Sequence, residues 1–274
     1  MSNGFAPAGN ARLYYEIAGE GSPLVLIHAG ICDSRMWDDQ VPALAAHYRV
    51  IRYDLRGFGQ SQPVAGSFTH YEDLRALLDH LDVERAVLLG CSLGGMTALD
   101  FALTYPQRVR GLILVGSGLA GFESQQEEDP PEWIEAQKAF ESGDYERASE
   151  MEVRVWVDGP QRAPDQVPAA VRDKVRQMNT IALKNEAAGL GEVQKLEPPA
   201  AHRLGKIQAP ALVVVGDLDQ PEMIEIAHKL AAEIPNADPA IILTGTAHVP
   251  NMEQPAKFNR HVLDWLGRQA AAAE

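Results

Sequence analysis

The chain has 274 residues, 46% hydrophobic and 23% charged, long enough and apolar enough for a globular protein with a full core. Its formal net charge of −14 repels phosphate backbones and anionic bilayers, so neither nucleic acid nor a membrane surface is an expected partner. The two cysteines, Cys32 and Cys91, make neither a disulfide framework nor a C-x-x-C metal pair, and no metal or cofactor is expected.

Met1 to Asn10 has neither a basic region nor an apolar run, so a cytoplasmic protein without an export signal is expected. Leu13–Ile17 reads as a strand that pairs locally near the N-terminus. A strand at Leu24–Ile27 follows, then a helix from Trp37 to Tyr48, a strand at Val50–Tyr53 and a helix from Tyr71 to Leu81. Ala86–Leu89 and Gly111–Val115 are strands on either side of a helix from Gly94 to Tyr105. The window Val87–Leu103 is very apolar, but Ser92, Asp100 and three glycines argue against a membrane span.

From about Phe122 to Pro199 no strand is expected, only helical segments at Pro131–Glu141, Tyr145–Val157 and Pro168–Ala188. The alternation resumes with a strand at Ala211–Val215, a helix at Glu222–Ile234, a strand at Ala240–Leu243 and a helix at Pro255–Leu266. Apolar strands alternating with amphipathic helices specify a mostly parallel α/β sheet flanked by helices. The expected organisation is a core, residues 1–121 and 200–274, with a helical lid inserted at 122–199. Between Glu123 and Glu152 the lid carries eleven Asp or Glu against two Lys or Arg, read as a solvated face. Trp133, Phe140, Met151, Trp156 and Met178 are read as lid core rather than substrate wall.

One motif carries chemistry. Gly90-Cys91-Ser92-Leu93-Gly94 joins a strand to a helix, with a serine at the apex of a very tight turn. Such a turn forces the serine into a strained conformation, and the close approach of its neighbours demands small residues on both sides. The hydroxyl then stands above the sheet edge beside free helical N–H groups, where an oxyanion can be held.

A serine hydroxyl needs a base, and the base needs an orienting acid. Later strands should supply both, acid first. Asp217 and Asp219 follow the Ala211–Val215 strand, and local spacing leaves the choice between them open. His248 follows the Ala240–Leu243 strand and is the expected base. A second oxyanion donor should come from the loop after Leu24–Ile27, where Gly30 N–H would pair with Leu93 N–H. His28 is expected to shape that loop. Cys91, one residue before the apex, should point into the core as an inert thiol.

Jointly, Pro23–His28, Tyr53–Ser61, Gly90–Gly95, Gly216–Asp219 and Gly245–His248 resemble the α/β-hydrolase superfamily, over nearly the whole chain. The resemblance implies an α/β-hydrolase fold, a Ser92–His248–Asp219 triad and a structural role for Asp54–Ser61. It picks Asp219 because the family's acid usually comes three residues after the strand-end glycine. Ala29 departs from the glycine that many members carry there. Met36-Trp37, Arg52-Tyr53-Asp54 and Ser92–Met96 are similar to enol-lactonases of aromatic-acid catabolism. The same stretches occur in esterases, C–C bond hydrolases and cofactor-free haloperoxidases.

The expectation is therefore a serine hydrolase of a small carboxylic ester or lactone, acting through an acyl-enzyme. Its rivals are a C–C bond hydrolase of a β-diketone-like substrate and a weakly catalytic receptor on the same fold. A dicarboxylate-derived lactone would want a cation, for which the lid offers Arg147, Arg154, Arg172 and Arg176. Nothing in the sequence sets the oligomeric state.

Overall fold

A computed structural model describes residues 1–124 and 129–273; Glu127 and Glu128, part of the acidic stretch, lie outside the described residues. The strands are β1 (Ser2–Ala8), β2 (Ala11–Ala18), β3 (Pro23–Ile27), β4 (Arg49–Tyr53), β5 (Ser67–Phe68), β6 (Ala86–Cys91), β7 (Val109–Val115), β8 (Glu192–Val193), β9 (Ala211–Gly216) and β10 (Ile241–Leu243). The helices are α1 (Val41–Leu44), α2 (His70–His80), α3 (Leu93–Thr104), α4 (Pro131–Glu141), α5 (Tyr145–Val153), α6 (Ala169–Glu186), α7 (Pro221–Glu233), α8 (Pro250–Glu253) and α9 (Pro255–Ala273).

Eight strands form one sheet in the order β1-β2-β4-β3-β6-β7-β9-β10. The β1–β2 and β2–β4 pairings are antiparallel, and every pairing from β4 across to β10 is parallel. Successive side chains of a strand face opposite ways, so a sheet covered on both faces needs continuous apolar runs. β3 and β9 have them. Leu24 and Leu26 pack with Trp37, Phe258 and Trp265, while Val25 and Ile27 pack with Leu99, Phe101 and Leu230. α9 buries Phe258, Val262, Trp265 and Leu266, the i, i+4, i+7, i+8 stripe of a helix lying on a sheet. From β3 the sheet order runs outward through β4 one way and through β6 the other. That reversal opens a crevice at the strands' carboxyl ends, and the loops after β3 and β6 flank it.

Four local expectations change. Ser2–Ala8 is an edge strand with no β-branched residue and a proline, tolerated because only β2 pairs with it. The helix expected over 37–48 is a 3₁₀ turn at Ser34–Trp37 and the single-turn α1, because Pro42 lacks the N–H that a longer helix would need. The helix expected over Tyr145–Val157 stops at Val153, and Arg154–Asp158 forms a π-helical turn. The expected strand-free stretch contains β8, a two-residue parallel pairing with β5 held by Glu192 N–H to Gly66 O at 3.0 Å and Gln194 N–H to Phe68 O at 2.7 Å. Among the described residues, no helix is long and apolar enough to cross a membrane.

Candidate active site

Ser92 sits between β6 and α3 with φ 52° and ψ −112°, one of the described non-glycine residues at positive φ. Such backbone strain costs on the order of 1–3 kcal/mol and persists only where the surroundings enforce it. Here they do. A Cβ on Gly90 would overlap the Gly94 carbonyl, and a Cβ on Gly94 would overlap the Ile27 and His28 carbonyls. The two glycines thus let α3 start against β3 and β6, with the Ser92 N–H donating to Val115 O at 3.0 Å.

His248 is 1% exposed, and its Nδ1 lies 2.9 Å from Asp219 Oδ2. Asp219 Oδ1 accepts the Gln220 N–H at 2.8 Å, which aims the carboxylate. Asp217 instead accepts the Gly245 N–H at 2.6 Å and so braces the loop that carries the histidine. The geometry separates the two aspartates that local spacing left open. His248 N–H donates to Trp156 O at 3.2 Å, and the Trp156 ring lies 4.7 Å from the imidazole, tilted by 39°.

Ser92, His248, Gly30 and Leu93 line one cavity of about 630 Å³. Leu93 is the first residue of α3, so its N–H has no intrahelical acceptor. Ala29 N–H is held by Met36 Sδ at 3.3 Å, and the next residue, Gly30, lines the cavity. His28 is fully buried, donating from Nδ1 to Ala29 O at 2.8 Å while Nε2 accepts the Leu55 N–H at 2.9 Å. Burial pushes its pKa down, so the imidazole stays a neutral brace. Asp54 accepts the N–H groups of Ser34 and Gln60, both at 2.8 Å, and shapes the neighbouring loop. The Cys91 thiol is buried against His248 O at 3.7 Å, and burial, then the Asp219 charge, push its pKa up.

Several cavity residues carried no signal in sequence. Trp133 and Trp156, expected as lid core, are cavity wall, whereas Met151 and Met178 are fully packed inside. None of Arg147, Arg154, Arg172 and Arg176, the cations expected of the helical segment, lines the cavity. Arg147 pairs with Glu135, Arg154 with Glu150, Arg172 with Glu150 and Asp158, and Arg176 with Asp173. An acid-rich segment satisfies its own cations. The cavity's guanidinium is Arg56, which holds Asp73 at 2.9 and 2.6 Å and lies 4.3 Å over the Phe68 ring. Glu152 and Glu186 also line it, and burial raises the Glu152 pKa. His70 lines it too, its pKa lowered to about 4 by burial and then by His28 and Arg56. Among the described residues no group of three or more His, Cys, Asp or Glu is placed to hold a metal ion.

The profile of the alpha/beta hydrolase fold family matches residues 22–255. A 2-hydroxy-6-oxononadienedioate/2-hydroxy-6-oxononatrienedioate hydrolase from Paraburkholderia xenovorans is 32% identical over 268 residues, covering 94% of this chain and 91% of its own length. The solved enol-lactonase of Burkholderia xenovorans superposes with a TM-score of 0.78 at 24% identity, over 96% of this chain and 100% of the other. A thermophilic esterase from Thermogutta terrifontis superposes with a TM-score of 0.77 at 27% identity, over 98% of this chain and 99% of the other.

Proposed function

We propose, from the premise that this chain belongs to the α/β-hydrolase family, that it is a serine hydrolase of a small carboxylic ester or lactone. The observation that carries the reading is the convergence of Ser92, His248 and two candidate oxyanion donors on one cavity, with Asp219 behind the imidazole. Ser92 Oγ attacks the carbonyl carbon while His248 Nε2 takes its proton. Asp219 holds the tautomer with Nδ1–H and stabilises the imidazolium that forms. Gly30 and Leu93 N–H groups hold the tetrahedral oxyanion. The imidazolium protonates the leaving oxygen, then His248 activates a water that releases the acid and restores Ser92. α4, the π-helical turn after α5, and α6 act as the lid, supplying Trp133, Trp156 and Leu183 to the cavity wall.

A second reading is C–C bond hydrolysis, favoured by the Paraburkholderia relative, whose name specifies a dienedioate substrate. The cavity's charge weighs against a dianion: its arginine is ion-paired to Asp73, and Glu152 and Glu186 face the same space. The test is hydrolysis of p-nitrophenyl acetate and butyrate by the wild type and by Ser92→Ala. Turnover should fall by about 10³-fold or more in the variant. Turnover that survives Ser92→Ala overturns the nucleophile. Cleavage of a vinylogous 1,5-diketone acid with no ester turnover would favour the second reading.

A further inference from the structure

The cavity wall opposite the sheet contains a carboxylate with no partner of opposite charge. Glu152 lies on α5, about one helical turn before the Trp156 ring that packs on His248. Its Oε2 accepts the Asn179 Nδ2–H at 2.7 Å, and Asn179 is itself 1% exposed, so the carboxylate is held in place rather than free to turn to solvent. Among the described residues Glu152 has no salt bridge, although the acids beside it in sequence do: Glu150 takes both Arg154 and Arg172. Glu186, at the end of α6, adds a second negative charge at the more exposed side of the same cavity.

No cation in the wall is free to balance these charges. The Arg56 guanidinium is held by Asp73, by Asn10 Oδ1 at 3.2 Å and by Ala8 O at 3.0 Å. His70 is neutral at pH 7 because burial holds its pKa near about 4, and its Nδ1 is buried without a partner. The remaining wall is mostly apolar, and Trp133, Trp156, Phe58 and Phe68 contribute rings to it. Rings and a fixed, unpaired carboxylate together make a surface for a cation. Glu152 is half-buried and burial raises its pKa, so a cation brought beside it would favour the charged carboxylate.

We propose that Glu152, positioned by Asn179, selects substrates whose acyl part carries a protonated amine, the ammonium donating to Glu152 Oε1 while the ester or lactone carbonyl reaches Ser92. This rests on the hydrolase reading above for the reaction, but not for the charge preference. The preferred substrate class is a small aminoacyl ester or a lactone bearing an amino group, and monoanionic and dianionic acyl groups are rejected.

The test uses three acyl groups of matched length as methyl esters, 4-aminobutanoate, pentanoate and hemisuccinate, with acid release followed by pH-stat. Within each protein the ratio of kcat/KM values is read, so a general loss of activity cancels. The wild type should prefer the ammonium ester over the neutral one by about tenfold and over the anionic one by more. In Glu152→Gln, which keeps the Asn179 hydrogen bond, the ammonium-to-neutral ratio should fall towards one and the anionic ester should gain. Equal rates on the ammonium and neutral esters in the wild type, or a preference unchanged in Glu152→Gln, overturn the proposal. Calorimetric titration of Ser92→Ala with methyl 4-aminobutanoate, methyl pentanoate and monomethyl succinate reads the same preference without turnover. A charge preference there with no ester hydrolysis by the wild type would overturn the hydrolase reading and leave the cation site standing.

Discussion

The two aspartates after β9 allow a sharp test, because both stand near the His248 loop and the structure gives them different work. Asp219→Asn removes the charge that faces Nδ1 at 2.9 Å, in a place where the side chain is 2% exposed or less. In the transition state the imidazole becomes a cation, and two unit charges about 4 Å apart in an effective dielectric of about 20 attract by about 4 kcal/mol. That corresponds to about 10³ in kcat. An amide can also turn its NH₂ towards Nδ1 and favour the wrong tautomer, which carries the expected loss towards about 10⁴. Asp217→Asn keeps an oxygen that accepts the Gly245 N–H and removes only the charge from a solvent-facing hydrogen bond, a difference of about 1 kcal/mol at most, or about fivefold. Steady-state hydrolysis of p-nitrophenyl butyrate by both variants, with circular dichroism to establish folding, reads the contrast. A larger loss in Asp217→Asn than in Asp219→Asn would refute the assignment and the electrostatic argument behind it.

Two further predictions concern the scaffold. His70 has a pKa of about 4 in the fold against an ordinary 6.5, so the unfolded chain binds the extra proton between those values. Its neutral burial therefore contributes stability that is complete above pH 6.5 and is lost as pH falls towards 4. Between pH 8 and pH 5 the wild type should lose about 2 kcal/mol more than His70→Gln in urea unfolding, and equal losses would sink the argument. Gly94→Ala should destabilise by about 3 kcal/mol, because the carbonyls it meets belong to the backbone at the end of β3 and cannot turn aside. Gly267→Ala, in α9 with open space around it, should stabilise by roughly 0.5–1 kcal/mol, and a similar destabilisation by both would undo the steric reading.

What could be read in advance follows the reach of each signal. The parallel strands announce themselves because a doubly covered strand has to be apolar along its length, as Leu24–Ile27 and Ala211–Val215 are. β1 does not, since its pairing is set by β2 and Ser2–Ala8 carries no strand signal of its own. The turn around Ser92 is legible because strain has to be relieved by neighbouring glycines, and those are visible as letters. His248 is legible for a different reason: topology sends the loop after β10 back to the crevice beside β6. The division of labour between Asp217 and Asp219 is a matter of an ångström or two, beyond any spacing rule. Least legible is the helical segment's contribution. Whether Trp156 or Met178 lines the cavity depends on how the π-helical turn and α6 dock on the sheet, and both residues read alike as large apolar side chains in sequence.

The π-helical turn at Arg154–Asp158 has a consequence for how substrate enters. Its Val155 carbonyl accepts Gln220 Nε2–H at 2.6 Å and its Trp156 carbonyl accepts His248 N–H at 3.2 Å. The turn is thereby sewn to the two loops that carry Asp219 and His248. A rigid swing of the helical segment would break both hydrogen bonds and with them the support of the Asp219 and His248 loops. On the proposed hydrolase reading, entry at the opposite margin, where Gly189, Leu190, Gly191 and Val193 border the cavity and are exposed, would leave those ties intact. Movement at that margin would strain the short β5–β8 pairing rather than the hydrogen bonds to the Asp219 and His248 loops, so the two ends of the helical segment are fastened to different parts of the core.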